Sequence, residues 1–125
     1  MWLKSNRYFN TKKVTNQLGR WDSKFEAAYA QELDLRVKAK DIAGYDAHLR
    51  IPLEVNGYVV CDYYIDFAIY HHDGTTEYVE TKGKAEPVWR LKWKLFCALY
   101  EDKPDVKISL VMQGKQYNPR MRRVR

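Results

Sequence analysis

From residue 58 to residue 70 the chain alternates without a break. Val59, Cys61, Tyr63, Ile65, Phe67 and Ile69 hold the odd positions, and Val60, Asp62, Tyr64, Asp66 and Ala68 hold even ones. A period of two puts the odd set on one face of a strand and the even set on the other. A chain carrying this segment is therefore committed to a sheet with a continuous apolar stripe. Asn56-Gly57 precedes the segment and Asp73-Gly74 follows it. Both dipeptides suit the positive φ of tight hairpin turns. They predict strands at about 47–55 and 75–82 flanking the central one, with Tyr78, Glu80 and Lys82 sharing a face of the third.

Helical signals enclose this hairpin-rich centre. Ser23-Lys24-Phe25-Glu26 has the S-x-x-E form of a capping box. Phe25, Tyr29 and Leu33 follow at four-residue spacing, among Ala27, Ala28 and Ala30. A first helix is expected to run to about Lys40 and to stop before Gly44. Pro87 suits the first turn of a second helix over 87–101. Val88, Leu91, Leu95, Ala98 and Leu99 mark its apolar face, widened by Trp89, Trp93, Phe96 and Tyr100. These aromatics are expected in the core rather than as a platform for stacked bases. After Pro104, residues 106–112 form a last apolar strand. The fold class is therefore α/β: one domain over 1–125, with an α-β-β-β-α-β core and a mixed sheet flanked by helices.

Composition narrows the setting. No apolar run approaches the ~20 residues that span a bilayer, and residues 1–7 lack the apolar middle of a signal peptide. The expectation is a cytoplasmic protein without membrane contact. Cys61 and Cys97 fit neither a disulfide framework nor a zinc ribbon and are expected to be reduced and structural. The net charge of +6 is unevenly spread. Residues 1–21 carry five cations and no acid; so do residues 113–125, with Lys115, Arg120, Arg122, Arg123 and Arg125. Residues 22–112 are net acidic. Basic ends around an acidic middle point to a polyanionic partner held by the ends, or to tails that only aid solubility.

Acids in the middle of a polyanion binder suggest metal ligation. Counting about Asp73-Gly74 sets residue 66 opposite 80 or 81, so Asp66 and Glu80 can approach one point. Lys82 follows on the same face, ~7 Å along the strand. Two adjacent carboxylates repel and call for a cation; oxygen ligands suit Mg²⁺ or Mn²⁺. An ammonium nearby can orient water and offset charge on a reacting phosphate. A bare D…E-x-K pattern is equally that of a cross-strand ion network on a solvated face.

Tyr64-Ile65-Asp66-Phe67 followed by Tyr78-Val79-Glu80-Thr81-Lys82-Gly83 resembles the core of the PD-(D/E)XK nuclease superfamily. Within it the chain resembles phage-borne members: endonuclease I type junction resolvases, and a group of small uncharacterised phage proteins. In the latter, a start like Trp21-Asp22-Ser23-Lys24-Phe25-Glu26-Ala27 precedes the first helix and a hairpin like Leu53-Glu54-Val55-Asn56-Gly57 precedes the D-F strand. The likeness covers about residues 6–112. Ile65 stands where the superfamily's name puts Pro, and His48 where the nearest relatives tend to have Gln.

This resemblance implies a restriction-endonuclease-like domain that hydrolyses phosphodiester bonds of DNA, branched DNA included, with Mg²⁺ or Mn²⁺ as cofactor. It implies Asp66, Glu80 and the Thr81 carbonyl as metal ligands, Lys82 as the catalytic lysine, and Glu26 as an acid completing the site or holding a second metal. The residues alone leave Glu26 open, since it could simply close the capping box. His48 is left as an uncertain participant. Lys84, Arg90, Lys94, Arg120, Arg122, Arg123 and Arg125 are candidate DNA contacts. Symmetric cutting of a four-way junction would imply a homodimer. The alternatives are a nicking enzyme or exonuclease of broad substrate choice, or a non-catalytic DNA-binding module retaining the fold.

Overall fold

The computed structural model describes residues 24–81, 87–112, 115–117 and 124, with side chains described except at 112 and 115–117. Helix α1 spans Lys24–Lys38, strands β1, β2 and β3 span Gly44–Val55, Tyr58–Tyr70 and Thr76–Thr81, helix α2 spans Pro87–Tyr100, and β4 and β5 span Val106–Met112 and Lys115–Tyr117. The expected α-β-β-β-α-β order is present. The strands form one sheet in the order β1-β2-β3-β4-β5. Neighbours are antiparallel except β3 and β4, which are parallel and joined through α2. Strand β5 was not anticipated; it pairs Lys115 with Met112 and Tyr117 with Leu110. Ser23 and the rest of the capping box's entry lie outside the described residues.

Each helix covers one face of the sheet. Val79 packs with Ala30 and Leu33 of α1, while its neighbour Tyr78 packs with Phe96 of α2. Successive strand residues point to opposite faces, so the helices lie on opposite sides. The α2 side buries Ile51, Leu53, Tyr63, Ile65, Trp93, Phe96, Cys97 and Ile108. The α1 side buries Ala30, Leu33, Ile42, Phe67, Ile69, Val79 and Val111.

Two expectations about faces are corrected. The odd-numbered stripe of β2 is not on one side: Tyr63 and Ile65 belong to the α2 core, Phe67 and Ile69 to the α1 core. On β1, Leu49 packs on the α2 side and Ala47 on the α1 side. Between them His48 takes φ 55°. A left-handed residue interrupts the pleat, so alternation restarts on the other face. On α2, Val88 and Leu91 are about 70% exposed, and Ala98 is exposed. The buried side is Trp93, Phe96 and Cys97, with Trp89 and Tyr100 partly buried. Leu95 and Leu99 of the expected aliphatic set also pack against this core, while the larger aromatic surfaces take the places expected of Val88, Leu91 and Ala98. Trp89 and Trp93 stack at 5.9 Å, as do Phe96 and Tyr100 at 4.7 Å. Cys61 and Cys97 are free thiols, and burial pushes Cys97 up to about 12.

Of the two turn dipeptides, Asn56-Gly57 behaves as read, whereas at Asp73-Gly74 only the glycine takes positive φ, 93°, within a connection that runs from Tyr70 to Thr76. Asn56 and Gly57 have φ of 54° and 85°, matching a two-residue turn of the I′ kind between Val55 and Tyr58. Helix α1 ends with the Lys40 N–H donating to the Val37 carbonyl and the Asp41 N–H to the Arg36 carbonyl. That is a Schellman closure, with Lys40 at φ 61° in the left-handed position glycine prefers. Lys40→Gly should therefore raise stability by about 0.5–1 kcal/mol, the relief of left-handed strain outweighing the entropy glycine loses. A higher midpoint in urea denaturation checks this; an unchanged or lower one contradicts it.

Candidate metal centre

Three side chains from three elements converge beside the break in the pleat. Glu26 comes from the first turn of α1, His48 from β1 and Asp66 from β2. One ligand atom of each lies within 4.8 Å of those of the other two. His48 Nε2 is 2.6 Å from Glu26 Oε2. Glu26 is only 3% exposed. Its place on α1 follows from helical spacing: Ala30 and Leu33, four and seven residues on, pack against the sheet.

Asp66 is oriented from β3. The Thr81 backbone N–H and the Thr81 hydroxyl both donate to Asp66 Oδ2, each at 2.9 Å. Oδ1 takes neither of these bonds. Burial first, and the Glu26 charge second, raise the Asp66 carboxyl from 3.8 to about 6, against the lowering effects of Thr81 and His48. Two partly desolvated carboxylates beside an imidazole are a donor set a divalent cation would satisfy. The ring nitrogen tilts the set toward Mn²⁺ over Mg²⁺.

Glu80 is turned elsewhere. It is 2% exposed, and its carboxylate accepts the Tyr63 hydroxyl and the Trp89 indole N–H, both at 2.8 Å, on the α2 side. The convergence of Asp66 and Glu80 anticipated from the hairpin is thus not the one present. Their strands do align, since the β2–β3 ladder runs from Tyr70↔Thr76 to Phe67↔Val79. But Asp66 sits where β2 changes face, so the two carboxylates leave the sheet on opposite sides. Burial first, and the adjoining Glu80 carboxylate second, push the Tyr63 phenol well above its ordinary range.

Arg90 and Lys94 are exposed on α2. Lys82, Lys84, Arg120, Arg122, Arg123 and Arg125 lie outside the described residues. His71 bonds Glu77, and His72 lies 3.0 Å from the Lys40 carbonyl, so the two neighbours serve different sites. His48, expected only as an uncertain participant, lies in the cluster with Glu26 and Asp66, and Tyr63 and Trp89 were not among the expected site residues. Counting back from the Asn56-Gly57 turn would have set His48 opposite residue 65 or 66. Nothing in the sequence pattern pairs Tyr63 and Trp89 with Glu80.

Residues 6–119 match the model of a protein family described as protein of unknown function (DUF1064), and the chain belongs to that family. No curated protein and no solved structure matches it.

Proposed function

We propose that this DUF1064 chain is a divalent-metal-dependent nuclease acting on DNA. The observation that carries the reading is the meeting of Glu26, His48 and Asp66 within 4.8 Å, from positions far apart in sequence. A divalent cation held there would polarise a phosphodiester oxygen and ease formation of hydroxide from water. Asp66 would bind it through Oδ1, with Thr81 fixing the carboxylate by its two hydrogen bonds to Oδ2. Glu26 would supply the second charge and His48 a ring nitrogen. The resemblance adds Lys82 as the donor to the reacting phosphate and Glu80 as a further acid. The basic ends, which flank a net-acidic middle, would hold the polyanion. Branched DNA, a phage origin and a homodimer rest on that resemblance.

The test is incubation of the purified chain with supercoiled plasmid and with a synthetic four-way junction, in Mn²⁺, in Mg²⁺ and in chelator. Metal-dependent cutting is expected, faster in Mn²⁺. Binding of either DNA without cutting under all three conditions would favour the rival reading, a binding module. The placement of Glu80 against Tyr63 and Trp89 supports that rival.

Because β5 reaches Tyr117, a test of the tail should start beyond it. Deleting 118–125 removes Arg120, Arg122, Arg123 and Arg125. The slope of log affinity against log salt on duplex DNA should then fall by up to ~0.9 per lost phosphate contact, with little dependence on sequence. An unchanged slope would assign the tail to solubility alone.

A further inference from the structure

Beyond the metal centre, the β1–β2 hairpin carries a face that no described residue covers. Tyr63 and Ile65 of β2, and Leu49 and Ile51 of β1, pack on the α2 side. The residues between and beside them, Arg50, Pro52, Asp62 and Tyr64, therefore face the α1 side. None of the four is among the residues clustered with α1, which are Ile42, Tyr45, Ala47, Phe67, Ile69, Val79 and Val111. Arg50 and Tyr64 are directly opposite each other in the β1–β2 ladder. Tyr64 is 58% exposed, and so is the Arg50 side chain.

These two residues adjoin the metal centre. Arg50 is two positions from His48 and Tyr64 two from Asp66, so the pair stands ~7 Å along the strands from the site, on the face from which Asp66 and His48 meet Glu26. Among the described residues the Arg50 guanidinium pairs with Asp62 across 3.5 Å, and both side chains are exposed. Such a pair contributes little, so a phosphate can take the guanidinium at small cost, and Arg is suited to bidentate phosphate contact. An aromatic ring beside a cation, one nucleotide's reach from a phosphate site, is the arrangement that holds single-stranded nucleic acid: the cation follows the backbone and the ring accepts a base face.

We propose that Arg50 and Tyr64 form a subsite for an unpaired nucleotide adjoining the phosphate bound at Glu26, His48 and Asp66. Arg50 contacts the neighbouring phosphate and Tyr64 stacks on the base. The subsite rests on the reading of the metal centre as a nucleic-acid site and deepens it: the substrate has an unstacked base beside the scissile bond. A fully paired duplex keeps its bases inside and offers Tyr64 no face.

The test is equilibrium binding in chelator, where nothing is cut, of a fluorescent single-stranded oligonucleotide and of the blunt duplex of the same sequence. Tyr64→Ala should weaken single-strand binding ~10-fold while changing duplex binding less than two-fold; Tyr64→Phe should bind both as wild type does. Arg50→Gln should weaken both and reduce the salt slope on the single strand by ~0.7. Thermal melting confirms folding, which substitution of exposed side chains should preserve. Single-strand binding by Tyr64→Ala equal to wild type, or equal losses on both DNAs, would overturn the subsite while leaving the nuclease reading standing. A wild-type chain that binds neither DNA in chelator or in Ca²⁺ would overturn both.

Discussion

Asp66→Asn should cut DNA about 10³-fold more slowly than wild type, the rate equivalent of the several kcal/mol a catalytic metal supplies. The substitution removes the carboxylate that Thr81 aims, and with it one of the two charges in the cluster. Its effect on the metal-free protein should run the other way. Asp66 is raised from 3.8 to about 6, chiefly by burial and then by Glu26. A carboxyl raised on folding binds its proton more tightly in the native state. Its contribution to stability is therefore full below 3.8 and lost as pH climbs through 6. In chelator, the wild type should lose stability over that window, and Asp66→Asn should lose less. A cation competes with the same proton, so Mn²⁺ affinity should climb across the window and level off above it. Cleavage by Asp66→Asn at the wild-type rate would remove the site from the account. A metal-free stability profile identical in the two proteins would show that Asp66 carries no such shift.

The second large effect is on stability. Glu80→Ala should destabilise the fold by about 3 kcal/mol or more. It leaves the Trp89 N–H and the Tyr63 hydroxyl without their buried acceptor and opens a cavity against α2. Glu80→Gln should stay within about 1 kcal/mol of wild type, because its amide oxygen can accept from Trp89 while its amide N–H₂ donates to the Tyr63 oxygen. That variant also separates structure from chemistry. Since Glu80 is bonded on the α2 side, Mn²⁺ affinity should fall far less in Glu80→Gln than in Asp66→Asn. Equal losses would put Glu80 among the metal ligands, where the superfamily resemblance places it. Denaturant unfolding and calorimetric Mn²⁺ titration of the same variants provide both readouts.

What was legible beforehand follows from which forces act locally. The alternation over 58–70 and the Asn56-Gly57 turn place β1 and β2, and both depend on backbone geometry within a few residues. Helix α2 began at Pro87, as its pyrrolidine ring suggested. The change of face at His48 was not legible. A left-handed residue inside a strand is uncommon, and the enrichment of His at positive φ is too slight a sign to place one there. The same holds at the tip of the hairpin, where Leu53 opposes Cys61 and Glu54 opposes Val59, so that Val60 is an extra residue.

The candidate site was half legible for the same reason. Asp66 stood out through the hairpin, and Glu26 gained its weight from the resemblance rather than from its own position, where a capping role was just as open. His48 joins them because the pleat breaks at that residue and brings its ring to the α1 side. Glu80 shares the α2 side with Tyr78, as alternation along β3 implied; it is Asp66 that left its expected face, since strict alternation along β2 was assumed through the point where it fails. A period of two predicts faces only as far as the first residue that leaves the extended region of φ/ψ space.

Anomalous diffraction from crystals of the full chain soaked in Mn²⁺ would show whether Glu26, His48 and Asp66 hold a cation. The expected result is a metal peak bound by Asp66 Oδ1, by a Glu26 oxygen and by the His48 ring, with Thr81 still bonded to Asp66 Oδ2. A peak ligated by Glu80 without Glu26 or His48, or no peak between these three side chains at saturating Mn²⁺, would contradict it.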